Sequence, residues 1–123
     1  MNTQKAATWF GYVTLAIGIL GFIPGVVNDT GVLFGLFQFD QLHNVIFVIT
    51  GLVGIAAAAG FRLSKNYFKV FGSIYLLLTV LGLFLANGIV LGMMMNTADN
   101  VLHLIIAAFA LYYGFRKEGT IVM

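Results

Sequence analysis

Apolar residues run almost unbroken along the chain, and the few polar positions cut them into four long segments and two short ones. The long segments, about 6–27, 41–61, 67–87 and 97–115, predict four helices. About 20 apolar residues rising about 1.5 Å each reach across a bilayer core of about 30 Å, so each segment is long enough to span. The first short segment, 28–39, opens on the turn residues Asn28, Asp29, Thr30 and Gly31 and then becomes apolar; the second, 88–95, is apolar and contains glycine. Both are too short to span and too apolar to float free, which predicts segments lying on the membrane surface or dipping into it. The link 62–69 carries Arg62, Lys65 and Lys69, with Ser64 and Asn66 as the expected turn.

Small residues recur at helical spacing on one face of each long segment. The first carries Gly11, Thr14, Gly18, Gly21 and Gly25, with Pro24 expected in its last turn and Trp9 as an interfacial anchor. The second presents Asn44, Phe47, Gly51, Gly54 and Ala58, and the fourth Asp99, His103, Ala107, Ala110 and Gly114. The third repeats the first: Phe10-Gly11 and Phe71-Gly72 each precede another glycine, Gly21 and Gly82, by the same interval. In lipid, helices gain from close backbone contact, which small residues permit. The glycine-lined faces of the first and third helices are expected to exceed what one small bundle can cover.

Charge orients the prediction. All six Lys and Arg fall on one side if the N-terminus, the link 62–69 and the C-terminus share a compartment. The positive-inside rule then places both termini in the cytoplasm and Asp29, Asp40 and Asp99 outside. The expected fold is an all-α, integral membrane four-helix bundle in a bacterial inner or plasma membrane. Its two helical hairpins, about 6–61 and 67–117, form a parallel repeat about an axis along the membrane normal, within a single domain over residues 1–123.

Composition agrees. With 61% hydrophobic and 8% charged residues and a mean hydropathy of +1.03, the chain lacks the charged quarter that covers a soluble globule. A net charge of +2 with no basic stripe gives no nucleic-acid surface. The absence of Cys excludes disulfides and thiolate chemistry. The apolar stretch 6–27 outruns the roughly 7–15 residues of a signal-peptide core, so a retained helix is expected.

The polar residues that could do chemistry concentrate in two related stretches, 40–47 and 96–103. Read as capping, Asp40 and Asn96 are N-caps and Asp99 closes a capping box. Read as a buried outer cluster, His43, Asn44, Asp99, Asn100 and His103 meet where the second and fourth helices pack. Three uses are open: an Asp99–His103 pair that pins those helices through Asn44, a divalent cation held by oxygens and imidazoles, or a haem between His43 and His103. Met93, Met94 and Met95 are consecutive and point apart on a helix, so packing is expected rather than a metal clamp. Asn28-Asp29-Thr30 is a glycosylation sequon on an outward loop. Tyr67, Phe68, Tyr112 and Tyr113 read as an inner aromatic belt.

No serine-histidine-acid set, phosphate loop or pair of embedded acids is present, so neither an enzyme nor a cofactor is expected. The leading expectation is a structural or interaction protein in the lipid bilayer, a homo-oligomer or a small subunit beside a membrane-protein partner. A channel or carrier for a small cation or solute is the alternative, opposed by the apolar lower halves of the second and fourth helices. A haem- or metal-binding membrane protein is the third.

The pattern Leu42-His43-Asn44 with Phe47, the run Tyr75-Leu76-Leu77-Leu78, and Asn96, Asp99, Asn100 and His103 together resemble a family of small four-helix membrane proteins, domain-of-unknown-function family 4383. The resemblance covers nearly the whole chain and implies a four-helix fold centred on those motif residues, with no activity to carry over. This chain departs at Phe47, where the resemblance implies a histidine.

Overall fold

A computed structural model of the chain describes residues 1–28, 32–38, 40–85, 89–90 and 92–117. Asp29 and Thr30 of the sequon therefore lie outside the described residues, as does Glu118. The elements in order are α1 (Thr3–Leu20), β1 (Val32–Leu33), β2 (Phe37–Gln38), α2 (Gln41–Ala57), α3 (Phe61–Phe84), β3 (Ile89–Val90), β4 (Met93–Met94) and α4 (Thr97–Phe115). The all-α class holds for the four helices. Of these, α3 and α4 are long and apolar enough to cross a membrane.

Helix boundaries differ from the expectation at both ends of the first helix, at the end of the second and at the start of the third. The first helix starts earlier, because the Asn2 side chain accepts the Lys5 amide at 2.7 Å, and it stops at its cap Gly21 rather than near 27. Pro24 thus lies beyond the helix and not in its last turn. Proline cannot supply the next amide and pushes its predecessor toward extended backbone, and Gly25 follows at φ 94°. The second helix ends at Ala57, and the turn to the third takes only three residues, Ala58, Ala59 and Gly60.

The basic link is therefore not a turn: Arg62, Lys65 and Lys69 sit on the first turns of α3. Ser64, expected to turn the chain, stays helical because its hydroxyl serves the carbonyls of Gly60 at 2.8 Å and of Ala57, at the end of α2, at 2.9 Å. The fourth helix has the expected bounds.

The two short apolar segments do not spread over a surface. Each folds into a small antiparallel hairpin, Val32 opposite Gln38 and Ile89 opposite Met94. Gly35 and Gly92 take the positive φ that such tight returns require, 74° and 84°. Leu33, Val90, Met93 and Met95 are buried, so these hairpins are part of the core at that end.

The main packing is α1 on α2 and α3 on α4. Gly11 lies against Gly51 and Ile55 while Gly18 lies against Asn44 and Val48, so the first pair is antiparallel. Gly72 against Ala110 and Leu111, with Gly82 against Asn100, makes the second pair antiparallel too. Gly54 meets the Tyr67 ring. Gly11, Gly18, Gly21, Gly51, Gly54, Gly72 and Gly82 thus all face neighbours within the chain itself, whereas a Cβ at Gly25 would meet nothing within 4 Å. At the end where α1 begins, Phe10 packs edge-on to Phe68 with centroids 5.5 Å apart, joining the two helix pairs.

Candidate functional site

The site begins at the N-terminus of α4, whose first amides have no partner inside the helix. Asn96 Oδ1 accepts the Asp99 amide at 2.8 Å and Asp99 Oδ2 accepts the Asn96 amide at 3.0 Å, completing the capping box. Asp99 is fully buried, and its second oxygen accepts the amide of Gln38, in β2, at 3.0 Å. Asn96 Nδ2 reaches the Leu36 carbonyl at 2.8 Å. The start of α4 is therefore tied to the first β-hairpin, and the Asp99 carboxylate serves backbone amides rather than the expected His103 partner. At the other cap, Asp40 Oδ1 accepts the His43 amide at 2.8 Å.

These bonds make a direct prediction. Asn96→Ala is expected to lower stability by about 1 kcal/mol for the cap, with a further loss for the Leu36 tie. Thermal unfolding in mild detergent, followed by circular dichroism, measures it. Asn96→Ser, which keeps an acceptor, should recover the capping share alone. An Asn96→Ala midpoint equal to that of the parent would remove the cap from the account.

Two asparagines do equivalent work at the closing ends of α1 and α3. Asn44 Nδ2 donates to the Gly21 carbonyl at 2.8 Å, and Asn100 Nδ2 donates to the Gly82 carbonyl at 3.3 Å. Both carbonyls lie where a helix runs out of its own donors, and an unpaired carbonyl in apolar surroundings is costly. Each carboxamide oxygen stands where a glycine Cβ would be, Asn44 Oδ1 at Gly21 and Asn100 Oδ1 at Gly82. It faces a Cα hydrogen, the geometry of a weak Cα–H···O contact. Glycine is needed there because any side chain would occupy the carboxamide's place. Asn44 therefore pins α1 to α2, and not α2 to α4 as expected.

The tie between α2 and α4 is the histidine pair. His43 and His103 are 1% and 0% exposed, and their Nε2 atoms lie 3.0 Å apart. At that distance one ring presents N–H and the other its lone pair. His103 Nδ1 has no partner among the described residues. Phe47, the position where the family resemblance implied histidine, lies nearly parallel to His43 at 8° with centroids 5.5 Å apart. Tyr75 covers His103 at 5.5 Å.

Two nitrogens on opposite sides of one metal ion stand about 4 Å apart, twice an ordinary metal–imidazole bond. The observed pair sits at hydrogen-bond separation instead. Among the described residues no group of three or more His, Asp or Glu is placed to hold a metal ion. Met93 and Met95 are buried, which fits packing.

A second polar tie was not read from the sequence. Thr50 Oγ1 and Tyr75 Oη lie 2.9 Å apart, and Tyr67 Oη donates to the Thr50 carbonyl at 2.7 Å. Thr50 also donates to Ile46 O at 2.7 Å, the usual local outlet for a helical hydroxyl. These bonds join α2 to α3. Thr50 lies on the same helical stripe as His43, Phe47 and Gly54, a spacing that could have revealed it. Tyr67, expected in an interfacial belt, is only 4% exposed and faces inward.

The geometry defines a class: a four-helix protein, two of its helices able to cross a membrane, whose buried polar side chains act as ties between separate elements. More particularly, the chain belongs to the family described as Domain of unknown function (DUF4383), whose model matches residues 4–116. Among curated proteins and among solved structures nothing matches.

Proposed function

We propose that the chain is an integral, multi-pass membrane protein whose work is structural: a self-associating protein or a small subunit of a membrane assembly, with no catalytic centre. Its two helix pairs are read as a duplicated hairpin with both termini in the cytoplasm of a bacterial inner or plasma membrane, and Asp40, Asn96 and the cluster at the outer end. One observation carries the reading. Each polar side chain of the cluster bonds a different element of the same chain: Asn44 to α1, Asn100 to α3, Asp99 to β2, and His43 to His103 across α2 and α4. A site built to receive a solute would keep some of those groups turned toward an opening. Outward apolar residues such as Leu83, Phe84 and Phe115 supply the surface for lipid or a partner subunit.

Two measurements test the proposal. The protein should stay with membranes after alkaline extraction and, in mild detergent, migrate as an oligomer or carry a co-purifying membrane partner. A monomer at every concentration with nothing bound would overturn the association reading.

The second reading is a channel or carrier for a small cation or solute. It gains support from Thr50, Tyr75 and Tyr67, a buried polar line continuing from the histidine pair into the part of α2 that looked apolar. Liposomes holding the protein should show no flux above empty liposomes; flux lost in the Asp99→Ala, His103→Ala double variant would favour the channel.

A further inference from the structure

The helix pairs do not close symmetrically. While α2 and α3 meet through Thr50, Tyr67 and Tyr75, the corresponding seam between α1 and α4 stays open and is bridged by rings such as Phe10 and Phe109, stacked at 5.6 Å. Along it runs a groove of about 360 Å³, lined by Trp9, Val13 and Ile17 on α1 and by Leu102, Ile105 and Phe109 on α4. Its walls are apolar, and Trp9, Val13 and Ile105 are 59%, 55% and 62% exposed.

Both stripes end in a cation at the same end of the molecule. On α1 the series Trp9, Val13, Ile17 continues one turn back to Lys5, which is exposed. On α4 the series Ile105, Phe109, Tyr112 continues to Arg116, whose guanidinium lies 4.4 Å from the Tyr113 ring centroid. Arg116 Nη2 donates at 2.8 Å to the carbonyl of Met1, itself a lining residue, so the guanidinium stands at the groove's mouth. The acids Asp40 and Asp99, the only ones among the described residues, stand at the opposite end, where α2 and α4 begin.

We infer that this groove binds one anionic phospholipid, an acyl chain lying between α1 and α4 and the phosphate at Lys5 and Arg116. The inference rests on the membrane reading above. Size selects the occupant. From Trp9 to Ile17 the groove is about 12 Å long, close to one leaflet of a core about 30 Å thick. A single hydrocarbon chain is slender enough to lie along it without parting α1 from α4. The basic mouth selects a negative headgroup over a zwitterionic one.

The test uses the full chain in nanodiscs made from equal parts phosphatidylglycerol and phosphatidylcholine, re-extracted in mild detergent, with retained lipid identified by mass spectrometry. The parent should retain phosphatidylglycerol in excess of its share of the disc. Lys5→Gln and Arg116→Gln should each lower that enrichment about fivefold, the factor for one cation near a charged headgroup. Val13→Trp or Ile105→Trp, which fill the groove, should reduce retention of both lipids. Retained lipid of bulk composition, or groove-filled variants holding as much phosphatidylglycerol as the parent, would overturn the site. So would a dimer that Ile105→Trp dissociates while lipid retention stays unchanged, because the groove's occupant would then be a second copy. Should Val13→Trp and Ile105→Trp fail to fold, the two surface glutamine variants still decide the headgroup. Resistance of the parent to alkaline extraction is scored first: its failure defeats the membrane reading, whereas insertion without enrichment defeats the lipid site alone.

Discussion

Gly51→Ala is expected to destabilise the chain by about 3 kcal/mol or more, lowering its thermal midpoint in mild detergent further than any other single alanine at a helical glycine. A Cβ built at Gly51 would lie 2.5 Å from the Leu15 amide nitrogen and 2.6 Å from the Gly11 carbonyl oxygen. Both are backbone atoms of α1 and cannot swing aside. The two helices must separate, and that separation also draws Asn44 away from the Gly21 carbonyl. Alanine's helix propensity returns only about 1 kcal/mol, too little to offset the loss. Gly72→Ala is the control. There the new methyl would meet side-chain carbons, Leu111 Cδ2 at 2.9 Å and Ala110 Cβ at 3.1 Å. Leucine can change rotamer, so a cost near 1 kcal/mol is expected, largely cancelled by the propensity gain. Gly21→Ala should fall between them, since it displaces a side chain, but one that is buried and hydrogen-bonded. Equal midpoints for Gly51→Ala and Gly72→Ala would show that backbone contact does not set the spacing of α1 and α2.

This ranking marks how far the sequence could be read. Spacing put Gly11, Gly18, Gly51 and Gly54 on faces that could approach another helix, and the approach is real. Spacing could not say whether the partner helix belongs to the same chain, because an apolar stripe looks the same whether it meets a neighbour or another subunit. The caps Asp40 and Asn96, with the box closed by Asp99, were legible since capping depends on residues within one turn of each other. The partners of Asn44, Asn100 and His103 were not. Their bonds cross 23, 18 and 60 positions of sequence, and only the three-dimensional pairing of elements decides them. Asp99 and His103, one turn apart on a single helix, made an attractive local pair that the backbone amides of Asn96 and Gln38 outcompeted. The hairpins over 32–38 and 89–94 were hidden for another reason: their apolar runs are too short to carry a clear strand period, and the left-handed turn of the first falls on Phe34 as well as Gly35, a residue type that gives no turn signal.

The histidine pair offers the sharpest separation between a structural and a functional core. His43→Leu and His103→Leu are each expected to cost about 2 kcal/mol, because either change leaves the surviving imidazole buried without its partner. The double variant should cost no more than one of them, since replacing both members by apolar groups removes the desolvated nitrogens together. Leucine is chosen because a phenyl ring reaches further, and two such rings would collide across a gap of 3.0 Å. A double-mutant cycle in thermal or chemical unfolding should therefore give a coupling of about 1–3 kcal/mol in the sense of mutual compensation. Additive losses would mean that the two rings do not depend on each other, and the tie between α2 and α4 would have to be sought elsewhere. The double variant also bears on function. If it folds with the parent's stability and keeps the parent's oligomeric state and lipid retention, the pair serves the packing of the helices. If it folds equally well but abolishes a measurable flux, then proton or cation passage along His43, His103, Tyr75 and Thr50 becomes the better account of why two imidazoles are kept in an apolar core.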